Sequence, residues 1–101
     1  MSIVQHILKE EYDRLQKLVV IYSKAIEKLP KGSISRKKRN NNVYSYLAYR
    51  ADDKIKFLYL GKDNSPKVRE IAKQIAERKE KEKQLRQVKA SLKDIKKVLR
   101  E

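Results

Sequence analysis

Between residues 4 and 29 the apolar side chains Leu8, Tyr12, Leu15, Val19, Tyr22, Ile26 and Leu29 recur in alternating steps of four and three. That spacing is a helical seam of the kind that pairs with another helix, and it predicts a helix over 4–29. Ile7, Leu18, Ile21 and Ala25 widen the seam into a stripe, and a stripe this broad normally faces more than one neighbour. Pro30 and Gly32 stop the helix.

The period then changes to two. Residues 33–61 read as a small antiparallel sheet of two or three strands, with a first strand over 33–38 and a stronger pair formed by 43–50 and 55–60. Asn40, Asn41 and Asn42 make the first turn, because asparagine tolerates left-handed dihedrals. Asp52 and Asp53 form the tip of a two-residue hairpin, although the glycine usual after the first Asp is missing. Alternation places Val43, Ser45, Leu47, Tyr49, Leu58 and Leu60 on one face. The opposite face receives Tyr44, Tyr46, Arg50, Ile55, Phe57 and Tyr59, and this register adds Arg36 and Lys38 to it. A slip of one residue would exchange partners between the faces.

Gly61 closes the last strand. Ser65 followed by Pro66 is a helix start, with the serine as N-cap and the proline in the first turn. A last helix is predicted over 66–99. Its first part carries Val68, Ile71, Ala72, Ile75 and Ala76, and its end repeats the seam with Leu85, Val88, Leu92, Ile95 and Leu99. Between them, residues 77–84 hold no apolar side chain. At 1.5 Å per residue such a helix spans roughly 50 Å, so part of it projects or pairs with another long helix. The two seams predict an antiparallel pair of the first and last helices, within one chain or between two. The expected fold class is α+β: a long N-terminal helix, a small antiparallel sheet and a long charged C-terminal helix, all in a single domain over 1–101.

Charge changes this picture most in the middle of the chain. The 101 residues include 27 Lys plus Arg against 13 Asp plus Glu, a formal net charge of +14. Residues 31–62 hold nine cations and two acids, whereas residues 1–30 hold five and four. A charge of this size opposes compaction and favours polyanionic partners. There is no cysteine, hence no disulfide framework and no thiolate metal site. No signal peptide and no apolar run of membrane-spanning length is present, so a cytoplasmic protein with no membrane contact is expected. His6 is alone, and Asp52, Asp53 and Asp63 lack a convincing further carboxylate for metal-assisted hydrolysis. No nucleotide-cradling glycine motif occurs. The expectation is a non-enzymatic protein without cofactor or metal.

The candidate chemistry lies where the basic run meets the tyrosines. Arg36, Lys37, Lys38 and Arg39 are suited to phosphates, and each phosphate neutralised would release counterion. Asn40 to Asn42 in the turn could reach base edges or the backbone, with Asn41 at the centre as the chosen contact. Tyr44, Tyr46 and Tyr59 could stack on bases, as aromatic platforms do in single-strand binders, although cross-strand packing is an equally ordinary use of such rings. Arg50 and Lys56 are further phosphate contacts, while Asp52 and Asp53 repel a backbone placed at the tip itself.

The segments Leu29-Pro30-Lys31-Gly32-Ser33-Ile34-Ser35, Tyr44-Ser45-Tyr46-Leu47-Ala48-Tyr49-Arg50 and Lys54-Ile55-Lys56-Phe57-Leu58-Tyr59-Leu60-Gly61-Lys62 resemble a family of small uncharacterised prokaryotic and phage-associated proteins. That resemblance implies a compact sheet between a preceding helix and a long charged one, and it implies no activity. Gly32-Ser33-Ile34-Ser35-Arg36-Lys37-Lys38 and Tyr59-Leu60-Gly61 are also similar, more loosely, to the arm-type DNA-binding modules of tyrosine recombinases, which place a three-stranded sheet in a DNA groove. Three functions are thus expected in order: binding of DNA or RNA by the basic, tyrosine-rich hairpin; an adaptor or inhibitor, phage or host, docked on a nucleic-acid-processing complex; and a coiled-coil oligomerisation unit. A homodimer through the helical seams accompanies the first.

Overall fold

The computed structural model describes residues 2–100. Five elements follow one another: α1 (Ile3–Glu27), β1 (Ser33–Arg39), β2 (Asn42–Ala51), β3 (Lys54–Lys62) and α2 (Pro66–Arg100). The fold is α+β, two long helices flanking a three-stranded antiparallel sheet in the order β1-β2-β3. The first helix begins at a capping box. Ser2 Oγ accepts from Gln5 N at 3.1 Å, and Gln5 Oε1 accepts from Ser2 N at 3.0 Å, which satisfies amides that a helix start leaves unpaired. At the start of α2, Ser65 Oγ accepts from Val68 N, the cap expected from the Ser-Pro pair.

The chain forms two compact units. The first contains α1 and the part of α2 from Lys79 onward. Leu15 and Val88 are buried in it, and the half-buried positions Leu8, Tyr12, Val19, Tyr22, Ile26, Leu85, Leu92, Ile95 and Leu99 fall on the two seams read from the sequence. The seams therefore meet within one chain. The polar stretch of α2 takes part as well: Lys81, Glu82 and Gln84 are half-buried, because their aliphatic stems can cover apolar surface while their heads reach water.

The second unit runs from Leu29 to Arg78 and holds the sheet with the first part of α2. Its core is Leu47, Leu60, Val68 and Ile75, with Ile34, Tyr49 and Ile71 packed against it. Val68, Ile71 and Ile75 come from one stripe of α2, and the rest come from one sheet face. Arg78 closes this unit by donating from Nη1 to the Leu29 carbonyl at 2.7 Å.

A β-bulge interrupts the β2–β3 ladder. Ser45 pairs with Gly61 and Tyr46 with Tyr59, leaving Leu60 as the extra residue. Gly61, which was expected to end β3, lies inside it at φ +137°, and the strand continues through Lys62. Leu58 faces the same side as Leu47, its Cα partner, yet remains 54% exposed. The core helix covers β2 and the Leu60 end of β3 and leaves this part of the edge strand open.

Candidate nucleic-acid interface

Two tight turns set which side chains share a face. Asn40 and Asn41 have φ of +49° and +68°, and Asp52 and Asp53 have +51° and +62°. Positive φ at both central residues defines the hairpin turn whose twist matches that of the flanking strands. Arg39 thus pairs with Asn42, and Ala51 with Lys54. The second hairpin has the two-residue tip read from the sequence. The first is one residue shorter than expected, because Asn42 belongs to β2.

That single residue reverses β1. Lys37 stands opposite Tyr44 and Ser35 opposite Tyr46, whereas Arg36 pairs with Ser45 and Lys38 with Val43. The tyrosine face is therefore joined by Lys37 and Arg39, not by Arg36 and Lys38. Its members are Lys37, Arg39, Tyr44, Tyr46, Arg50, Ile55, Phe57 and Tyr59. Within the sheet unit no element covers it: α2 packs on the other side, and Tyr59 and Phe57 keep 52% and 51% of their surface exposed.

The rings on this face touch one another at an angle. Tyr59 meets Tyr46 edge-on with centroids 5.4 Å apart, and it meets Tyr44 at 6.2 Å with the planes tilted by 53°. Such contacts are worth about 0.5–1.5 kcal/mol each beyond burial, so they also hold the edge strand in place. The Lys37 ammonium lies 4.3 Å from the Phe57 centroid and 5.2 Å from that of Tyr46, where the ring quadrupoles attract it. At the Asn turn, Arg39, Asn40, Tyr44, Tyr46 and Tyr59 line an open recess of about 310 Å³.

Of the residues singled out in the sequence, Lys37, Arg39, Tyr44, Tyr46, Arg50 and Tyr59 are on this face, and Asn41 is exposed in the turn beside it. Arg36, Lys38 and Lys56 are on the opposite face; Lys56 pairs with Tyr49. Arg36 is also engaged. Its Nε donates to Asp63 Oδ1 at 2.9 Å, and the Ser45 hydroxyl donates to the same oxygen at 3.2 Å. The Arg36 hydrogen bond, aided by its charge and by Ser45, holds the Asp63 carboxyl below the usual carboxylate range. Lys37 and Arg39 have no carboxylate within ion-pair distance among the described residues. Phe57 completes the site without having been chosen from the sequence, and Asn40, read there with its two neighbours as a turn residue able to reach a base, lines the recess. Phe57 was discoverable from its alternation with Tyr59. Among the described residues no cluster of His, Asp or Glu is placed to hold a metal ion, and no helix is long and apolar enough to cross a membrane.

Fold and site together define a helix–sheet–helix protein with one sheet face packed on its own helix and the other open, aromatic and basic. The chain belongs to the DUF6788 family, a domain of unknown function, whose profile matches residues 7–70. The matched span contains the whole sheet, and with it every residue of the open face. No curated protein and no solved structure matches the chain.

Proposed function

We propose that this protein binds nucleic acid without catalysis, through the open sheet face. One observation carries the reading: Lys37 and Arg39 share a solvent-facing surface with Tyr44, Tyr46, Phe57 and Tyr59. Cations without carboxylate partners meet phosphates, and flat rings beside them meet bases. The net charge of +14 adds long-range attraction to any polyanion. The looser likeness to arm-type modules of tyrosine recombinases agrees with the use of a sheet as the contact surface.

The test compares two double variants of equal charge. Lys37→Ala with Arg39→Ala removes two cations from the open face, and Lys38→Ala with Lys56→Ala removes two from the opposite one. Binding of labelled single-stranded and duplex oligonucleotides is titrated against salt. Each lost phosphate contact lowers the slope of log K against log salt by about 0.7–0.9. The open-face variant therefore loses about 1.4–1.8 of slope, whereas its counterpart keeps nearly all of it. Equal losses in the two variants would reduce the effect to net charge and remove the site.

A second reading has its own observation. Ile3, Val4, Ile7, Val20 and Ile21 of α1 are all more than half exposed, which suits self-association through that helix. Sedimentation without nucleic acid, across a range of protein concentrations, separates it from the first.

A further inference from the structure

We infer that the recess at the Asn turn is a seat for one unpaired nucleobase, so that the protein takes single-stranded nucleic acid in preference to duplex; this rests on the nucleic-acid reading above. At about 310 Å³ the recess lies at the small end of ligand clefts, which run from about 300 to 1,000 Å³. It fits a single base better than an extended ligand. Its walls divide the work of recognising a nucleotide. Tyr44 and Tyr59 flank it with rings that Lys37 does not cover, since the Lys37 ammonium is placed over Tyr46 and Phe57. Asn40 brings an amide, with a donor and an acceptor for the edge of a base. Arg39 brings the cation for the adjoining phosphate or a guanidinium plane for the ring.

The composition of the walls decides between strand and duplex. In a duplex the faces of each base are covered by its neighbours, and only edges in the grooves remain to be read. Tyrosine rings then find little to meet beyond a thymine methyl, and the exposed area of Phe57 and Tyr59 would stay wet. An unpaired base offers its whole face, and sheets that display aromatic rings use them in this way. The tilt between Tyr59 and its two neighbours matters as well. Rings stacked flat on each other would cover the faces they turn to one another, whereas rings tilted by 53° and 60° leave an angular gap between them.

The test uses the full chain and three probes of one sequence about 16 nucleotides long, the upper end of single-strand site sizes: single-stranded DNA, its RNA counterpart and the DNA duplex. Anisotropy measures affinity for each at one salt concentration. The single strands are expected to bind at least tenfold tighter than the duplex, and comparison of the DNA and RNA arms identifies which sugar is preferred. Tyr44→Leu and Tyr59→Leu should each weaken single-strand binding by about 5- to 150-fold, the span of one lost base stack, while duplex binding stays within twofold. The chain has no tryptophan, so unmodified protein supplies a second readout that needs no variant: its tyrosine fluorescence is quenched by unlabelled single strand and not by duplex. Duplex binding as tight as single-strand binding, or a strand preference that survives both tyrosine variants without quenching, overturns the seat and leaves the general nucleic-acid reading standing. Failure to bind any of the three probes removes both.

Discussion

Replacing Gly32 by alanine tests the placement of β1 against β2 more sharply than any other single change. Gly32 sits at φ +134°, and a Cβ built there would lie 2.4 Å from the Ala48 carbonyl oxygen and 3.1 Å from Leu47 Cδ1. The oxygen belongs to the central strand, whose residue Ala48 pairs with Ser33 on one side and Phe57 on the other. It cannot turn away without loosening both ladders. The left-handed backbone alone costs an L-residue about 1–3 kcal/mol. Relieving the overlap by lifting the start of β1 then forfeits a ladder hydrogen bond or two, at about 1 kcal/mol each. The expected total is about 2–5 kcal/mol, reaching the top of the range for single substitutions. Gly61 supplies the control. It has nearly the same φ, +137°, but a Cβ there meets only the Ser65 hydroxyl, at 3.3 Å, which can rotate. Gly61→Ala should thus show the dihedral cost alone, about 1–3 kcal/mol. Thermal unfolding followed by near-ultraviolet circular dichroism reads the sheet tyrosines directly. At about 4–8 °C per kcal/mol, the Gly32 variant should melt roughly 8–40 °C below the parent, and below the Gly61 variant. If the two variants melt together, the Ala48 carbonyl is not pressed against Gly32, and the register that places Ser33 opposite Ala48 is wrong.

Three further outcomes follow from the sheet and its turns. Leu60→Ala should cost about 2–5 kcal/mol, as for other buried leucines, whereas Leu58→Ala on the open edge should cost less than about 1 kcal/mol; denaturant midpoints that reverse this order would move the bulge. Asp53→Gly, at a φ of +62° in the second turn, should stabilise by about 0.5 kcal/mol by removing a left-handed Cβ, measurable as a melting point raised by a few degrees. Asp63 titrates lower in the folded chain than in the unfolded one because Arg36 holds its charged form, so the unfolded chain takes up that proton first as pH falls. The stability it contributes is therefore full above the ordinary carboxylate value near 4 and drains as pH drops through the lowered one. Asp63→Asn should flatten the acid limb of a stability–pH curve in that window, and an unchanged limb would mean that the Arg36 contact does not persist in solution.

Much of the layout was legible in local pattern. The steps of four and three that run through Leu8 to Ile26 and through Leu85 to Leu99 gave both helices, although Leu29, counted on the first seam, lies beyond the end of α1 at Glu27, and Ser65-Pro66 located the start of the second to the residue. Within β2 the alternation of Val43, Ser45, Leu47 and Tyr49 with Tyr44, Tyr46 and Arg50 assigned both faces correctly, since apolar contrast and the two-residue period agree there. The candidate site was legible in its tyrosines for the same reason. Its cations were not. The strand Ser33–Arg39 reads Ser-Ile-Ser-Arg-Lys-Lys-Arg, and after Ile34 nothing in it distinguishes a buried side from an open one.

By itself, then, the sequence determined the kind and order of the elements, because periodicity and capping are properties of neighbouring residues, while it left open whether the sheet has two strands or three. Which cations join the rings was a tertiary decision. It depended on whether the first turn takes two asparagines or three, and a change of one residue in a turn inverts every side chain of the strand before it. Tertiary structure also inserted the bulge that sets Ser45 opposite Gly61 and Tyr44 opposite Lys62, and it closed the two helical seams on each other within a single chain. Each of these outcomes depends on contacts between residues far apart in sequence, whose free energies no local pattern contains.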